Sequence, residues 1–215
     1  MLFSRDIGSL LLLIPPLLLA LTVHEFSHAC VAWLLGDNTA KNEGRLSLNP
    51  IRHLDPIGTL MILLSFLIGW AKPVPVNPGN FKHPRLGMSL VAAAGPAANL
   101  ILVFLTALVF NFVVTGSLLW ELPSSFQEPI AKMIYLSFLL NIGLCVFNLL
   151  PIPPLDGFNV ISGILPRSAV QFIYRYRMVG MLVLILLIFL GFVSKILMPI
   201  ILFMQGHLLT GRVGF

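Results

Sequence analysis

Charge is scarce in this 215-residue chain. Only 10% of residues are Asp, Glu, Lys or Arg, while 58% are hydrophobic and the mean hydropathy is +0.98. Soluble domains carry about 25% charged residues, so the composition excludes an ordinary soluble protein and leaves little room for a soluble domain. Cysteine is nearly absent too. Cys30 and Cys145 both lie in apolar runs, where a free thiol behaves as a small inert hydrophobe. Tandem repeats, linkers and low-complexity stretches are missing. No small-residue cleavage site follows the first apolar run, so that run is expected to stay as an anchor. The net charge of +5 does not point to nucleic acid. The bases cluster in connections between apolar runs, where they set orientation in a bilayer.

What is present is a series of membrane-length segments. A spanning helix needs about 20 apolar residues. The first candidate runs from Gly8 to Leu35, with a kink expected at Pro15 and Pro16. Gly87–Val114 and Pro129–Leu150 are the second and third, and Met178 to about Met204 is the last. Ile57–Trp70 is apolar but short, which fits a re-entrant element better than a fifth span. Ala71–Gly79 alternates Pro and Val, which forbids helix and predicts an extended segment. Arg167–Arg177 mixes bases with aromatics and reads as an interfacial anchor.

The expected architecture is therefore an all-α polytopic membrane protein. It has about four full spans, a short re-entrant or fifth segment and an extended Pro/Val loop. The whole chain, 1–215, reads as one integral-membrane domain, with a motif-bearing core at 8–166 and a C-terminal span and tail at 167–215. Lys72, Lys82 and Arg85 flank one connection and Arg167, Arg175 and Arg177 another, whereas Gly116–Glu128 holds no base. The first two connections are expected on the cytoplasmic side and the third outside.

Within the first span stand His24, Glu25 and His28. A charge at the bilayer centre costs on the order of 2–3 kcal/mol even on a lenient scale, so such a group needs compensation. The H-E-x-x-H spacing puts both imidazoles on one helix face with Glu25 beside them, the geometry of a zinc-hydrolase site. Catalytic zinc takes three protein ligands and keeps an open position. Cys30, two residues beyond His28, faces elsewhere. Asp156 lies at the end of an apolar span, just past the proline-rich break Pro151–Pro154. A carboxylate there needs a cation, and non-helical backbone at that depth needs protein or a water cavity around it.

The ordered set of His24-Glu25-x-x-His28, Gly95-Pro96-Ala97-Ala98-Asn99 and Leu155-Asp156-Gly157 resembles the site-2 proteases, the intramembrane zinc metalloproteases. Leu48-Asn49-Pro50, His53-Leu54-Asp55-Pro56 and Trp70–Val76 resemble the compact prokaryotic branch of that family. The matched motifs run from Val23 to Gly157, and no PDZ-like or CBS-like regulatory domain accompanies them. The resemblance implies one Zn²⁺ per chain on His24, His28 and Asp156, with Glu25 as general base. It implies that Asn148 steadies the substrate or the developing oxyanion, for which its amide donors are suited. Asn99 either orients a ligand or bridges helices; Gly95 and Ala98 permit close helix contact. His53 and Asp55 read as loop structure, and His83 and His207 as loop or terminal residues.

The substrate implied is a membrane-embedded, single-span protein, met in a prokaryotic inner membrane by a multi-pass enzyme. A peptide bond inside a lipid helix is hydrogen-bonded, so the substrate must unwind. The extended segment with Val74 and Val76 can then pair with it by strand addition. Two rival classes are a metal transporter built on the same ligands and a catalytically inactive membrane scaffold. Glu25 separates the first from a protease, because a transport site needs no non-ligating base. Lipid and substrate are the partners expected; whether the chain forms a homo-oligomer is left open.

Overall fold

The structure, a computed structural model, describes residues 7–58, 71–114, 116, 119 and 121–210. Helices dominate: α1 (Ile7–Leu34), α2 (Pro84–Val113), α3 (Ser124–Asn148), α4 (Asp156–Ser162), α5 (Arg167–Arg175), α6 (Arg177–Phe189) and α7 (Phe192–Leu208). Among the described residues, strand pairing is limited to one antiparallel bridge, Leu54 to Ala71. Three helices are long and apolar enough to cross a membrane, namely Leu11–Leu34, α2 and α3; α5 and α6, bent by 71°, would make a fourth if taken as one span. Residues 59–70, most of the expected re-entrant stretch, lie outside the described residues.

Pro15 and Pro16 lie inside α1, which is one helix from Ile7 to Leu34. Two expectations about boundaries are corrected. α3 begins at Ser124, so the end of the expected Gly116–Glu128 loop is helical and Pro129 sits inside the helix. The last span is not continuous. It divides at Gly191, whose φ of 70° is a left-handed conformation that glycine adopts without steric cost. The resulting α6 and α7 have 13 and 17 residues, each shorter than the usual span.

The chain forms two compact units. One comprises 1–20, 99–147 and 184–215. Its core joins Val103, Ala107 and Phe110 of α2 to Tyr135, Phe138 and Ile142 of α3, with Leu209 beyond α7. The three-, four- and seven-residue spacings keep each set on one helix face. Polar side chains lock this unit where lipid supplies no partners. Asn99 Nδ2 donates to Asn141 Oδ1 at 2.8 Å and to the Ala20 carbonyl at 3.3 Å. Asn111 Nδ2 donates to the Leu208 carbonyl, while its Oδ1 accepts from Thr210 N–H, so one amide finishes the C-terminus of α7.

The other unit, 21–98 and 148–183, carries more irregular backbone. Its apolar cluster is Ala32, Phe81 and Val91, with Val76 packed against it. Arg85 at the start of α2 donates to the carbonyls of Ser162 and Leu165, satisfying the end of α4. Ser89 Oγ donates to the Asn159 carbonyl at 3.1 Å, and a Cβ at Gly163 would sit 2.3 Å from that Oγ. Tyr174 on α5 donates to Asn159 Oδ1 at 2.6 Å. α5 itself buries no residue and exposes Phe172 and Tyr174.

Beyond α1 the chain turns at Gly36 (φ 102°) into Asp37, which is fully buried. Burial pushes the Asp37 carboxyl up, but hydrogen bonds from Thr39, Asn77 and Asn80 outweigh it and hold the group below the usual aspartate range. A lowered folded-state value means that this anchor stabilises fully above about pH 4 and loses its contribution as pH falls through the folded value. Thermal unfolding in detergent from pH 7 to pH 3 should therefore show Asp37→Asn less stable than wild type near neutrality. The gap should begin to narrow below about pH 4; a gap that stays constant or widens as pH falls to about pH 3 would contradict this account.

Candidate metal centre

α1 offers His24 and His28 one turn apart, and both are buried. α4 opens on Asp156 after the turns of residues 149–155. The helix can start there only because Gly157 follows: a Cβ on Gly157 would lie 2.2 Å from the Leu149 carbonyl oxygen. The result is a triangle of lone-pair atoms. His24 Nε2 and His28 Nε2 are 3.1 Å apart, and Asp156 Oδ2 lies 3.1 Å from the first and 3.3 Å from the second. Ligands bonded to one tetrahedral zinc at about 2.0–2.1 Å stand about 3.3 Å from each other, so the spacing suits a shared ion.

The chemistry of the donors fits as well. His28 Nδ1 lies 2.6 Å from the Val91 carbonyl oxygen. A carbonyl only accepts, so Nδ1 carries the proton and Nε2 presents its lone pair inward. Asp156 Oδ2 is a buried atom with no hydrogen-bond partner among the described residues. A buried, unsatisfied carboxylate oxygen is costly, and two imidazole lone pairs facing it do not relieve that cost. A divalent cation relieves all three groups together.

Glu25 is half-buried, and its Oε2 accepts from the Val74 main-chain N–H at 3.1 Å. The extended segment thus runs beside Glu25. Val76 turns its side chain into the Ala32–Phe81–Val91 cluster, so what it can offer a partner is main chain. Gly95 faces the ligands directly. A Cβ there would sit 2.5 Å from His28 Nε2 and 2.7 Å from His24 Nε2. Pro96 lies inside α2 beside it.

Other expected site residues are placed differently. Asn99 bridges helices through its amide, as described above. Asn148 is the half-buried last residue of α3, eight positions before Asp156. His53 is buried in the loop, with Nε2 2.7 Å from the Ser47 carbonyl oxygen, and Asp55 Oδ1 accepts from Gly58 N–H. Both serve loop structure. Cys30 stands outside the ligand group. The Val91 carbonyl and the Asp37 anchor were not singled out from the sequence. A main-chain acceptor leaves no signal in residue identity, whereas Asp37, two residues before a threonine at a helix exit, carries the pattern of an Asx turn.

Helices of membrane-crossing length and a buried His₂Asp group define a membrane protein with a zinc-hydrolase type of centre. Comparison with known proteins agrees. The chain is 40% identical over 189 residues, 88% of its own length and 85% of the other's, to a Bacillus subtilis (strain 168) protein named "Putative zinc metalloprotease YwhC". It is 30% identical over 190 residues to "Putative zinc metalloprotease Rip2" of Mycolicibacterium smegmatis, covering 85% of this chain and 68% of that one. A Rip2 of Mycobacterium tuberculosis (strain Erdman) is 32% identical over 162 residues, 72% of this chain and 58% of its own. No family model and no solved structure matches. The chain belongs to the site-2 protease family of zinc metalloproteases.

The crowding at Gly95 gives a direct check. Gly95→Ala should displace an imidazole and weaken zinc binding by at least about 10–100-fold, measured as metal content after dialysis against a competing chelator. Gly143→Ala, where a Cβ meets nothing within 4 Å, should keep the wild-type content.

Proposed function

We propose that this protein is an intramembrane zinc endopeptidase that cleaves membrane-embedded, single-span protein substrates. The observation that carries the reading is the convergence of His24, His28 and Asp156 beside a carboxylate, Glu25, that lies outside the ligand triangle. Bound zinc supplies Lewis acidity, lowering the pKa of water and polarising a carbonyl.

The remaining steps belong to the chain. Glu25, with Oε2 held by the Val74 N–H, takes a proton from the attacking water through its other oxygen and delivers it to the leaving amine. Asn148 stabilises the developing oxyanion or steadies the substrate. His28 keeps its tautomer through the Val91 carbonyl, and Gly95 keeps the ligand face clear. The substrate unwinds and lies along residues 71–77. Pro73 and Pro75 have no N–H, so their edge only accepts hydrogen bonds, which the amides of an extended substrate supply. The enzyme is a multi-pass protein of a prokaryotic inner membrane, with the base-rich connections on the cytoplasmic side and water reaching the ligands from that side.

Reconstitution in liposomes with a panel of single-span substrates tests this. Wild type should cleave, chelation should stop cleavage, and added zinc should restore it. Glu25→Gln should retain zinc but lose about 10²–10⁴-fold in turnover. Cleavage that survives chelation, or Glu25→Gln turnover within about tenfold of wild type, would refute the proposal.

A further inference from the structure

Asp37 is outside the metal group, yet it is among the most completely buried polar residues. Its carboxylate receives four hydrogen bonds. Oδ1 accepts from Thr39 N–H, Thr39 Oγ1 and Asn80 Nδ2, and Oδ2 accepts from Asn77 N–H. The Asn77 and Asn80 bonds, both 2.7 Å, span 40 and 43 positions of chain. Asp37 follows α1 by three residues, so it ties the far end of the extended segment to the helix carrying His24, Glu25 and His28.

The near end is tied separately. Lys72 N–H donates to the His53 carbonyl at 2.8 Å, and Arg45 Nη2 donates to the Lys72 carbonyl. Arg45 and His53 are both buried. Between these anchors the residues are Pro73, Val74, Pro75 and Val76. Proline has no N–H, so only Val74 and Val76 carry main-chain donors there. The Val74 donor goes to Glu25 Oε2. In extended chain a slip of one residue turns the donor to the opposite edge. Here the slip would present a proline, and Glu25 would meet no donor at all.

We propose that Asp37 is a positioning residue for Glu25: by anchoring Asn77 and Asn80 it holds the Pro-Val-Pro segment in the register that delivers the Val74 amide to the Glu25 carboxylate. The inference rests on the reading of Glu25 as the proton-transfer group. It assigns the alternating prolines a role in that register, since they leave the residues on either side of Val74 without an amide that a one-residue slip could offer Glu25.

The sequence supplies its own probe, because the flanking prolines leave Val74 as the one exchangeable main-chain amide of residues 73–75, which a residue-resolved measurement can follow. Hydrogen exchange is measured on the full-length, zinc-loaded protein in detergent without substrate. Asp37→Asn sets an amide NH₂ against donors that the carboxylate accepts, and should speed Val74 exchange about tenfold or more. Asn80→Ala, at an exposed position, removes one donor and should produce a smaller rise in the same direction; it carries the test if Asp37→Asn does not fold. With zinc content unchanged, Asp37→Asn should lower kcat about 10–100-fold. In a Glu25→Gln background, adding Asp37→Asn should weaken substrate affinity by less than kcat falls in the Asp37→Asn single variant. Unaltered Val74 exchange or unaltered kcat would overturn the proposal. So would an affinity loss in the Glu25→Gln background as large as the fall in kcat, which would make Asp37 an anchor of the substrate strand alone. A Glu25→Gln chain with Asp37 intact that kept wild-type turnover would strike at the base assignment itself, and the proposal would fall with it.

Discussion

Three ligand atoms held within 3.3 Å of one another, in surroundings from which water is largely excluded, need positive charge among them, and a divalent cation answers all three at once. That constraint explains features that look unrelated along the chain. Gly95 is a glycine because the ligand atoms occupy the place a side chain would need. Gly157 is one because α4 must start against the carbonyls of Leu149 and Leu150. Val91 matters for its carbonyl, which sets the tautomer of His28. Arg85 and Ser89 hold the far end of α4 against the start of α2, so the short helix carrying Asp156 is fixed at both ends.

The two units solve the problem of buried polarity in different ways. In the unit containing Asn99, Asn111 and Asn141, side-chain amides join helices and close a helix end. Such bonds between apolar helices are worth roughly 0.6–2 kcal/mol each, enough to fix register without chemistry. In the unit containing the ligands, the backbone itself is irregular, and charged side chains satisfy it: Arg45 on Lys72, Asp37 on Thr39 and Asn77. Irregular backbone at such a site survives only when every polar group is answered by protein or water. Spending buried charges on loop geometry is reasonable where that loop faces the base.

The site was more legible than the outline of the fold. His24 and His28 share a face by helical spacing, and Asp156 stands out because a carboxylate at the end of an apolar span is costly. Boundaries were harder. Hydropathy alone could not see the division at Gly191, where a left-handed glycine separates two apolar helices. Asn99 could be read two ways until its amide was seen to meet Asn141 and Ala20. Contacts made by main chain, such as Val91 to His28 and Val74 to Glu25, depend on tertiary register and leave no trace in residue type.

Charge accounting ties the metal centre to the anchored loop. Two neutral imidazoles, the Asp156 carboxylate, the Glu25 carboxylate and a dication sum to zero, so the resting group carries no net charge into an apolar setting where a net charge is expensive. In the proposed mechanism Glu25 takes up a proton, and the same group would then become net positive as a substrate carbonyl oxygen turns negative. The electrostatic change therefore favours the transition state over the resting state, which is what acceleration requires. This holds only if Glu25 stays within reach of the reacting water and does not swing to Lys72 or to solvent. A single amide, aimed by a loop that is held at both ends, restrains the carboxylate without adding another charge to the balance.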